Sequence, residues 1–245
     1  MSFTFEHLES RVLLAASVVQ KGTTLYISGD ASNDAIRIDG TGLAPGDVEV
    51  FHDSDGDGTV DTSLGVFHCF DNISIKIKGG NNAIGIDDIA IAGNLSVKTG
   101  SGNDCVFLFQ SSIGGSVKFS LGSGTNDLGG LENEIMGNAT FKTGGGIDDF
   151  EMSDSVVHGK FNVNLGGGND SLALRDNDFG VGSKVNGGGG QDLFIHYGQP
   201  MPANVTFAGI ETPQDAYPSE LASQLVARHI ACYNRLGGQG VLNLD

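Results

Sequence analysis

The sequence predicts an all-β protein whose fold is a right-handed parallel β-helix, a β-solenoid with coils of about 22 residues. Three observations support this prediction: 39 glycines among 245 residues, a fixed repeat, and apolar residues in register with it. The repeat is marked by a glycine column of Gly80, Gly102, Gly124, Gly146, Gly168 and Gly190. A unit this short cannot bury its own apolar residues, so it gains a core only by stacking on its neighbours.

Each of these glycines belongs to a turn whose other positions keep their chemistry. Two residues after the glycines stand Asn82, Asp104, Asn126, Asp148, Asp170 and Asp192. Two residues further on stand the apolar residues Ile84, Val106, Leu128, Phe150, Leu172 and Phe194. Glycine tolerates the positive φ of a tight corner, and Asn or Asp side chains bond the turn backbone. The pattern therefore predicts corners that are each followed by a strand.

A second strand is predicted before each glycine turn. Its apolar column consists of Ile75, Val97, Phe119, Phe141, Val163 and Val185. Polar residues such as Lys76 and Lys98 alternate with this column, and a period of two is typical of a strand with one buried face. A third apolar column consists of Ile91, Ile113, Ile135, Val157 and Phe179. Each coil is therefore expected to contain two or three short strands.

The solenoid is predicted to cover residues 21–210, and the segments on either side differ from it. Residues 1–20 are expected to form an N-terminal sorting or capping segment. The turn at Asp34 is separated from the next one, at Asn82, by more than twice the regular spacing, which predicts an inserted β-hairpin at 46–70. Residues 211–245 are expected to hold a capping helix at 217–236 and a tail. The helix prediction rests on an apolar stripe of Leu221, Leu225, Val226, Ile230, Tyr233 and Leu236.

Composition narrows the classes of function. A net charge of −17 argues strongly against nucleic acid as a partner, because that affinity comes mainly from Lys and Arg residues that neutralise phosphates. No stretch approaches the ~20 apolar residues of a transmembrane segment. Cys69, Cys105 and Cys232 have no metal-binding spacing and are interpreted as small buried or surface residues. Neither HExxH nor GxSxG occurs, so we assign no catalytic residue.

The glycine turns resemble a known calcium-binding repeat. GSGND (100–104), GGGND (166–170) and GGGGQD (187–192) are similar to the GGxGxD motif of haemolysin-type (RTX) proteins, a resemblance that covers residues 24–196. In that family, carboxylates and backbone carbonyls of stacked turns bind Ca²⁺. The resemblance thus implies calcium at Asp104, Asp148, Asp170 and Asp192. The family motif occurs twice per coil and here once, and Asn82 and Asn126 replace the Asp; a purely structural corner is the alternative.

The predicted hairpin carries a second acidic cluster. Its carboxylates are Asp53, Asp55, Asp57 and Asp61. Several oxygen ligands on one tight loop, with Gly58 allowing a sharp turn, suit Ca²⁺, and the loop resembles those of dockerins, thrombospondin type 3 repeats and EF-hands. Leu64 stands where an EF-hand has its bidentate Glu, so a weak calcium site is expected. A solvated hairpin tip without metal is the alternative.

The first residues point to export. The segment from Phe5 to Leu14 resembles the LEPRxLL motif at the N-terminus of large planctomycete exported and surface proteins, with Ser10 at the position of its Pro. The resemblance implies an extracellular or cell-surface location. An ordinary N-terminal cap is the alternative.

These observations together predict a non-enzymatic, secreted or cell-surface, calcium-binding solenoid that serves as a structural or adhesive module. Calcium ions are the expected partners, and a cell-surface glycan or protein is the further candidate. A polysaccharide lyase or hydrolase on the same fold is the alternative function. Such an enzyme needs a base beside carboxylates in one groove, and the lysines around Lys98 and Lys118 are interpreted instead as solvated outward residues of a strand.

Overall fold

The predicted β-solenoid is confirmed and has about six turns. The computed structural model describes residues 16–54, 57–68, 71–196, 202–214 and 219–237, and the side chains of 212–226 are outside this description. Three sheets run along the solenoid as its three faces. None of the helices among these residues is long and apolar enough to cross a membrane.

Sheet A has nine strands: β1 (Ala16–Lys21), β2 (Thr24–Gly29), β6 (Asn72–Lys76), β9 (Leu95–Lys98), β12 (Val117–Ser120), β15 (Ala139–Lys142), β18 (Phe161–Asn164), β21 (Ser183–Asn186) and β23 (Val205–Ala208). Sheet B has ten: β3 (Ala35–Asp39), β4 (Asp47–His52), β5 (Thr62–His68), β7 (Ala83–Asp87), β10 (Cys105–Phe109), β13 (Asp127–Leu131), β16 (Asp149–Ser153), β19 (Ser171–Arg175), β22 (Leu193–Ile195) and β24 (Thr212–Gln214). Sheet C has five strands of two residues: β8 (Ala90–Ile91), β11 (Ser112–Ile113), β14 (Glu134–Ile135), β17 (Val156–Val157) and β20 (Asp178–Phe179). One helix follows, α1 (Ser219–Arg235).

The strands pair in the predicted register. Val106 of β10 lies between Ile84 of β7 and Leu128 of β13, its equivalents one coil before and one coil after, and all three strands pair in parallel. The residues of all three predicted apolar columns are buried in one continuous core. The repeat therefore acts through stacking, since each apolar side chain contacts its equivalents in the coils on either side.

The inserted hairpin is also confirmed. Strands β4 and β5 pair antiparallel, and β4 continues sheet B by pairing antiparallel with β3. Val48 and Val50 are fully buried in the solenoid core, so the base of the hairpin closes the N-terminal end of the stack and does not lie outside it. Strand β1 pairs antiparallel with β2 and covers the corresponding edge of sheet A. Strands β1 and β5 are therefore the outermost strands of sheets A and B at this end of the solenoid.

The predicted C-terminal helix is present, but its position differs from the expectation. The part of the helix whose side chains are described packs along the outer face of sheet B and not over the end of the stack; there, Cys232 and Leu236 join Ala83, Cys105 and Phe107 in a second apolar cluster. Among its described side chains, 227–237, those of His229, Cys232 and Leu236 are buried, whereas Ile230 of the predicted stripe is 44% exposed. The stripe residues Leu221, Leu225 and Val226 lie outside the described side chains. We call α1 with Leu236 the strap helix.

The glycine corners bring the backbones of successive coils very close together. Gly168 has φ +149°, and a Cβ on it would overlap the carbonyl oxygen of Gly146 in the coil before. Gly189 lies in the same type of turn, but a Cβ there would contact nothing within 4 Å.

Gly168→Ala is therefore expected to lower the free energy of unfolding by about 1 to 3 kcal/mol for the backbone conformation alone, and further because of the overlap. Gly189→Ala is expected to change stability little. Urea unfolding of the two variants beside the wild type measures the difference. Equal stability of the two variants would contradict this account of the corner.

Candidate cation sites

The polar residues of the glycine corners form a continuous hydrogen-bonded column, which we call the turn ladder. Its rungs are Asp34, Asn82, Asp104, Asn126, Asp148, Asp170 and Asp192, and all seven are buried. From Asn82 onward, a side-chain oxygen of each rung accepts the backbone N–H of the preceding rung, at 2.8 to 3.2 Å. The carboxylates that the sequence predicted at the turns thus lie in one row and tie neighbouring coils together.

The Asn and Asp rungs differ at their second side-chain atom. The amide nitrogen of Asn126 donates to the carbonyl oxygens of Gly122 and Gly124, both at 3.1 Å. Asn82 does the same toward Gly79 and Gly80. An Asp rung has an oxygen in place of this nitrogen. Accordingly, the second carboxylate oxygen is buried without a hydrogen-bond partner in Asp104, Asp148, Asp170 and Asp192.

An unpaired buried carboxylate oxygen is costly, and at four rungs burial favours the neutral acid. Burial raises the pKa of Asp170 to about 7, with the neighbouring charges of Asp148 and Asp192 acting in the same direction. Burial raises the pKa of Asp34 to about 7 as well. The pKa values of Asp148 and Asp192 are also raised, again mainly by burial. Each of these oxygens needs a proton or a cation.

The acidic loop between β4 and β5 uses its carboxylates differently. Asp53 Oδ2 accepts the N–H of Gly58 at 2.7 Å, and Asp57 Oδ1 accepts the N–H of Thr59 at 2.8 Å. Asp61 accepts the N–H and the hydroxyl of Ser54, and these bonds lower its pKa. Asp55 lies outside the described residues. The three described carboxylates therefore organise the loop itself.

A guanidinium group lies between the acidic loop and the first rungs of the ladder. Arg235 Nε donates to the Gly58 carbonyl at 3.2 Å, and its Nη2 donates to the Asn81 carbonyl at 2.8 Å. Burial lowers the pKa of Arg235, while the charges of Asp53, Asp104 and Asp34 oppose that shift. The strap helix thus provides positive charge at the N-terminal end of the ladder. The run of Asp148, Asp170 and Asp192 lies at the other end.

A third cluster joins the strap helix to sheet B. Asp127, Asp149 and His229 are buried, and they present ligand atoms within 4.8 Å of one another. Asp127 faces the Arg228 guanidinium with both oxygens, since Nη2 pairs with Oδ1 and Nε lies 3.2 Å from Oδ2. His229 Nε2 lies 3.3 Å from Asp149 Oδ2. Burial opposes the charged imidazole, but the interaction with Asp149 outweighs it and raises the pKa of His229. Two ion pairs explain this cluster without a metal.

A disulfide bond between Cys105 and Cys232 fixes the strap helix to β10. Both cysteines are buried, in agreement with their interpretation as small buried or surface residues, but that interpretation did not include a disulfide bond. Cys69 lies outside the described residues. The sequence does contain a signal for the covered face. Strands β7 and β10 read AIGID and CVFLF and are buried on both faces, and such continuous apolar runs are typical of a sheet with a cover on each side.

Comparisons with protein-family models, with curated proteins and with solved structures gave no match to this chain.

Proposed function

We propose that this protein is a non-enzymatic calcium-binding solenoid, secreted or attached to the cell surface, with a structural or adhesive role. The observation that carries the proposal is the row of buried carboxylate oxygens without hydrogen-bond partners in the turn ladder. Ca²⁺ is a hard cation that takes six to eight oxygen ligands, among them carboxylates and backbone carbonyls. Asp148, Asp170 and Asp192 are the residues that would hold it.

These rungs suit a cation for a physical reason. Three carboxylates follow one another in successive coils with no Asn between them, so their charges are about 4.8 Å apart along the stack. Calcium bound there would neutralise this repulsion and link the coils. The resemblance of the turns to haemolysin-type repeats supports the same assignment. The acidic loop is the second candidate, with an expected affinity on the order of 0.1 to 1 mM.

The disulfide bond supports a location outside the cytoplasm, because such bonds form and persist mainly in oxidising compartments. The LEPRxLL-like segment, which lies outside the described residues, points the same way. A lyase or hydrolase has less support. Its lysine base would need carboxylates nearby, and the nine strands of sheet A, which carry Lys76, Lys98, Lys118, Lys142 and Lys184, contain no Asp or Glu.

Protons and calcium should compete for the ladder. Asp34 and Asp170 have folded-state pKa values of about 7, above the ordinary Asp value of 3.8. The stability contributed by their protonation is therefore complete below about pH 4 and is lost as the pH rises through about 7. In a chelating buffer, the melting temperature is expected to fall between pH 5 and pH 8. Addition of Ca²⁺ is expected to restore it at pH 8 and to change it little at pH 5.

Asp170→Asn tests the ladder directly, because the rungs Asn82 and Asn126 show that an amide fits this position. In chelator at pH 8 the variant is expected to melt at a higher temperature than the wild type, with a smaller gain from Ca²⁺. Asp178→Asn, at an exposed position of β20, is the control and should change neither quantity. The double variant Asp55→Ala with Asp57→Ala tests the acidic loop.

Calorimetric titration with Ca²⁺ decides between the outcomes. Loss of a calcium-binding site in Asp170→Asn supports calcium binding by the turn ladder. Loss of a site only in the double variant of the acidic loop would instead assign the calcium site to the hairpin. No binding by the wild type at millimolar Ca²⁺, with no stabilisation at pH 8, would refute the calcium proposal.

A further inference from the structure

The outward side chains of sheet A form a surface that we call the lysine face. Two rows run along the solenoid, each with one residue per coil. The first row is Tyr26, Ser74, Ser96, Lys118, Thr140, Asn162 and Lys184, and the second is Ser28, Lys76, Lys98, Ser120, Lys142, Asn164 and Asn186. Residues between the rows point inward and are buried.

The charge of this face is opposite to that of the whole chain. The chain has 30 acidic and 13 basic residues, yet the nine strands of sheet A contain six lysines and no acidic residue. The five lysines of the two rows are exposed, and none forms an ion pair with a residue that the structure describes. Acidic residues collect elsewhere, for example at the corner between sheets B and C, where Asp88, Glu132, Asp154 and Asp176 occupy equivalent positions.

The spacing of the lysines is regular. Each of four consecutive coils carries one lysine: Lys76, Lys98 and Lys142 lie in the second row and Lys118 lies in the first. Successive coils are about 4.8 Å apart along the solenoid, so the lysines advance by that step while Lys118 is displaced to the neighbouring row. The remaining positions of these coils are Ser74, Ser96, Ser120 and Thr140, whose hydroxyl groups can donate and accept hydrogen bonds.

We propose that the lysine face binds a linear acidic polysaccharide that carries one carboxylate on each sugar ring and lies along the solenoid. Such a polymer presents its charges at intervals of one sugar ring, a length of the same order as the distance between successive coils along the solenoid. The hydroxyl side chains between the lysines suit the hydroxyl groups of the sugars. This proposal is independent of calcium in the turn ladder, which lies at a corner of the solenoid.

The observations fit this occupant better than other polyanions. Single-stranded nucleic acid binds through aromatic stacking platforms as well as charge, and the two rows contain one aromatic residue, Tyr26. Arg, which reads base edges through its planar fork, is absent from the nine strands. A second copy of the chain is the remaining acidic candidate, and sedimentation distinguishes it from a polysaccharide.

Binding of sodium polygalacturonate to the full chain tests the proposal in chelating buffer, which removes calcium bridges. At low ionic strength, the wild type is expected to bind this polymer and not neutral dextran. Lys98→Gln with Lys118→Gln is expected to weaken binding by about 5- to 10-fold, since each exposed charge contact contributes up to about 1 kcal/mol. Binding should disappear near 1 M salt, where the screening length falls to about 3 Å.

A matched control distinguishes an effect of the lysine face on binding from an effect of the net charge of the chain. Ala90→Glu with Arg175→Gln also lowers the net charge by two, but on sheets C and B, and should leave the affinity unchanged. Circular dichroism checks that both variants are folded. Equal weakening by the two pairs, absence of polygalacturonate binding, or equally tight binding of a single-stranded oligonucleotide would overturn the proposal. The proposal would also be overturned if sedimentation detected salt-sensitive dimers of the wild type that dissociate in the variant with both Lys98→Gln and Lys118→Gln.

Discussion

Replacing both Cys105 and Cys232 by serine is expected to lower the free energy of unfolding by about 4 to 5 kcal/mol. The bond joins residues that are 127 positions apart, so it constrains a large part of the unfolded chain. In the chain-entropy account, this stabilisation grows with loop length and reaches about 4.7 kcal/mol for a loop of about 100 residues. Guanidinium unfolding of the double variant and of the oxidised wild type measures the loss.

Two controls accompany this measurement. Cys69→Ser removes a cysteine without touching the bond and should leave the unfolding midpoint of the oxidised protein unchanged. Thiol labelling of the denatured, unreduced wild type should modify one cysteine of the three, and all three after reduction. Three reactive thiols without reduction would mean that the bond does not form, and the support it gives to an oxidising compartment would disappear.

Phe161→Ala is expected to cost about 3 to 5 kcal/mol, because it opens a cavity inside a row of stacked rings. Phe161 is fully buried, and its ring centre lies 4.1 Å from that of Phe179 and 5.8 Å from that of Phe150. Phe141 is a third neighbour, at 6.0 Å. Each coil adds side chains to this row, so a gap in one coil removes contacts from the coils on either side. Thermal and urea unfolding measure the effect.

Phe51→Ala is the matched control for that cavity. The Phe51 ring is partly exposed on the hairpin and covers the Arg37 guanidinium at 4.3 Å. Its removal should cost about 0.5 to 1 kcal/mol, the range of an exposed cation–π contact. If the two variants lose the same stability, the aromatic row does not have the special role in the core that its burial indicates.

The repeat was predictable from particular residues because each coil contacts only the coils before and after it. Gly102 and Gly124 lie one coil apart in the sequence and one strand spacing apart in space, so the period along the chain is also the contact pattern. Burial of Ile84, Val106 and Leu128 followed from the same period. The hairpin was predictable in the same way, because the long spacing between two successive turns left more residues than one regular coil can contain.

The position of the strap helix was not predictable in this way. Arg228 and Cys232 lie 101 and 127 positions after their partners Asp127 and Cys105, and no periodicity relates these pairs. The strap helix packs against small residues on the outer face of sheet B. A Cβ atom on Gly85, for example, would lie only 2.9 Å from the Leu236 side chain. Such shape complementarity depends on side chains that come together only when the chain is folded.

The sequence by itself determined the coil, the strands, the corners and the candidate cation ligands of the turns, because each follows from the repeat period and from local backbone chemistry. Only the tertiary structure decided which carboxylate oxygens have partners. It placed Asn126 and Asp148 in one ladder with different second atoms, brought Arg235 to the first rungs, and separated the lysines of sheet A from the acidic corners. These properties depend on the distances in space between groups that are far apart in the chain, because those distances determine which groups are buried and how strongly their charges interact.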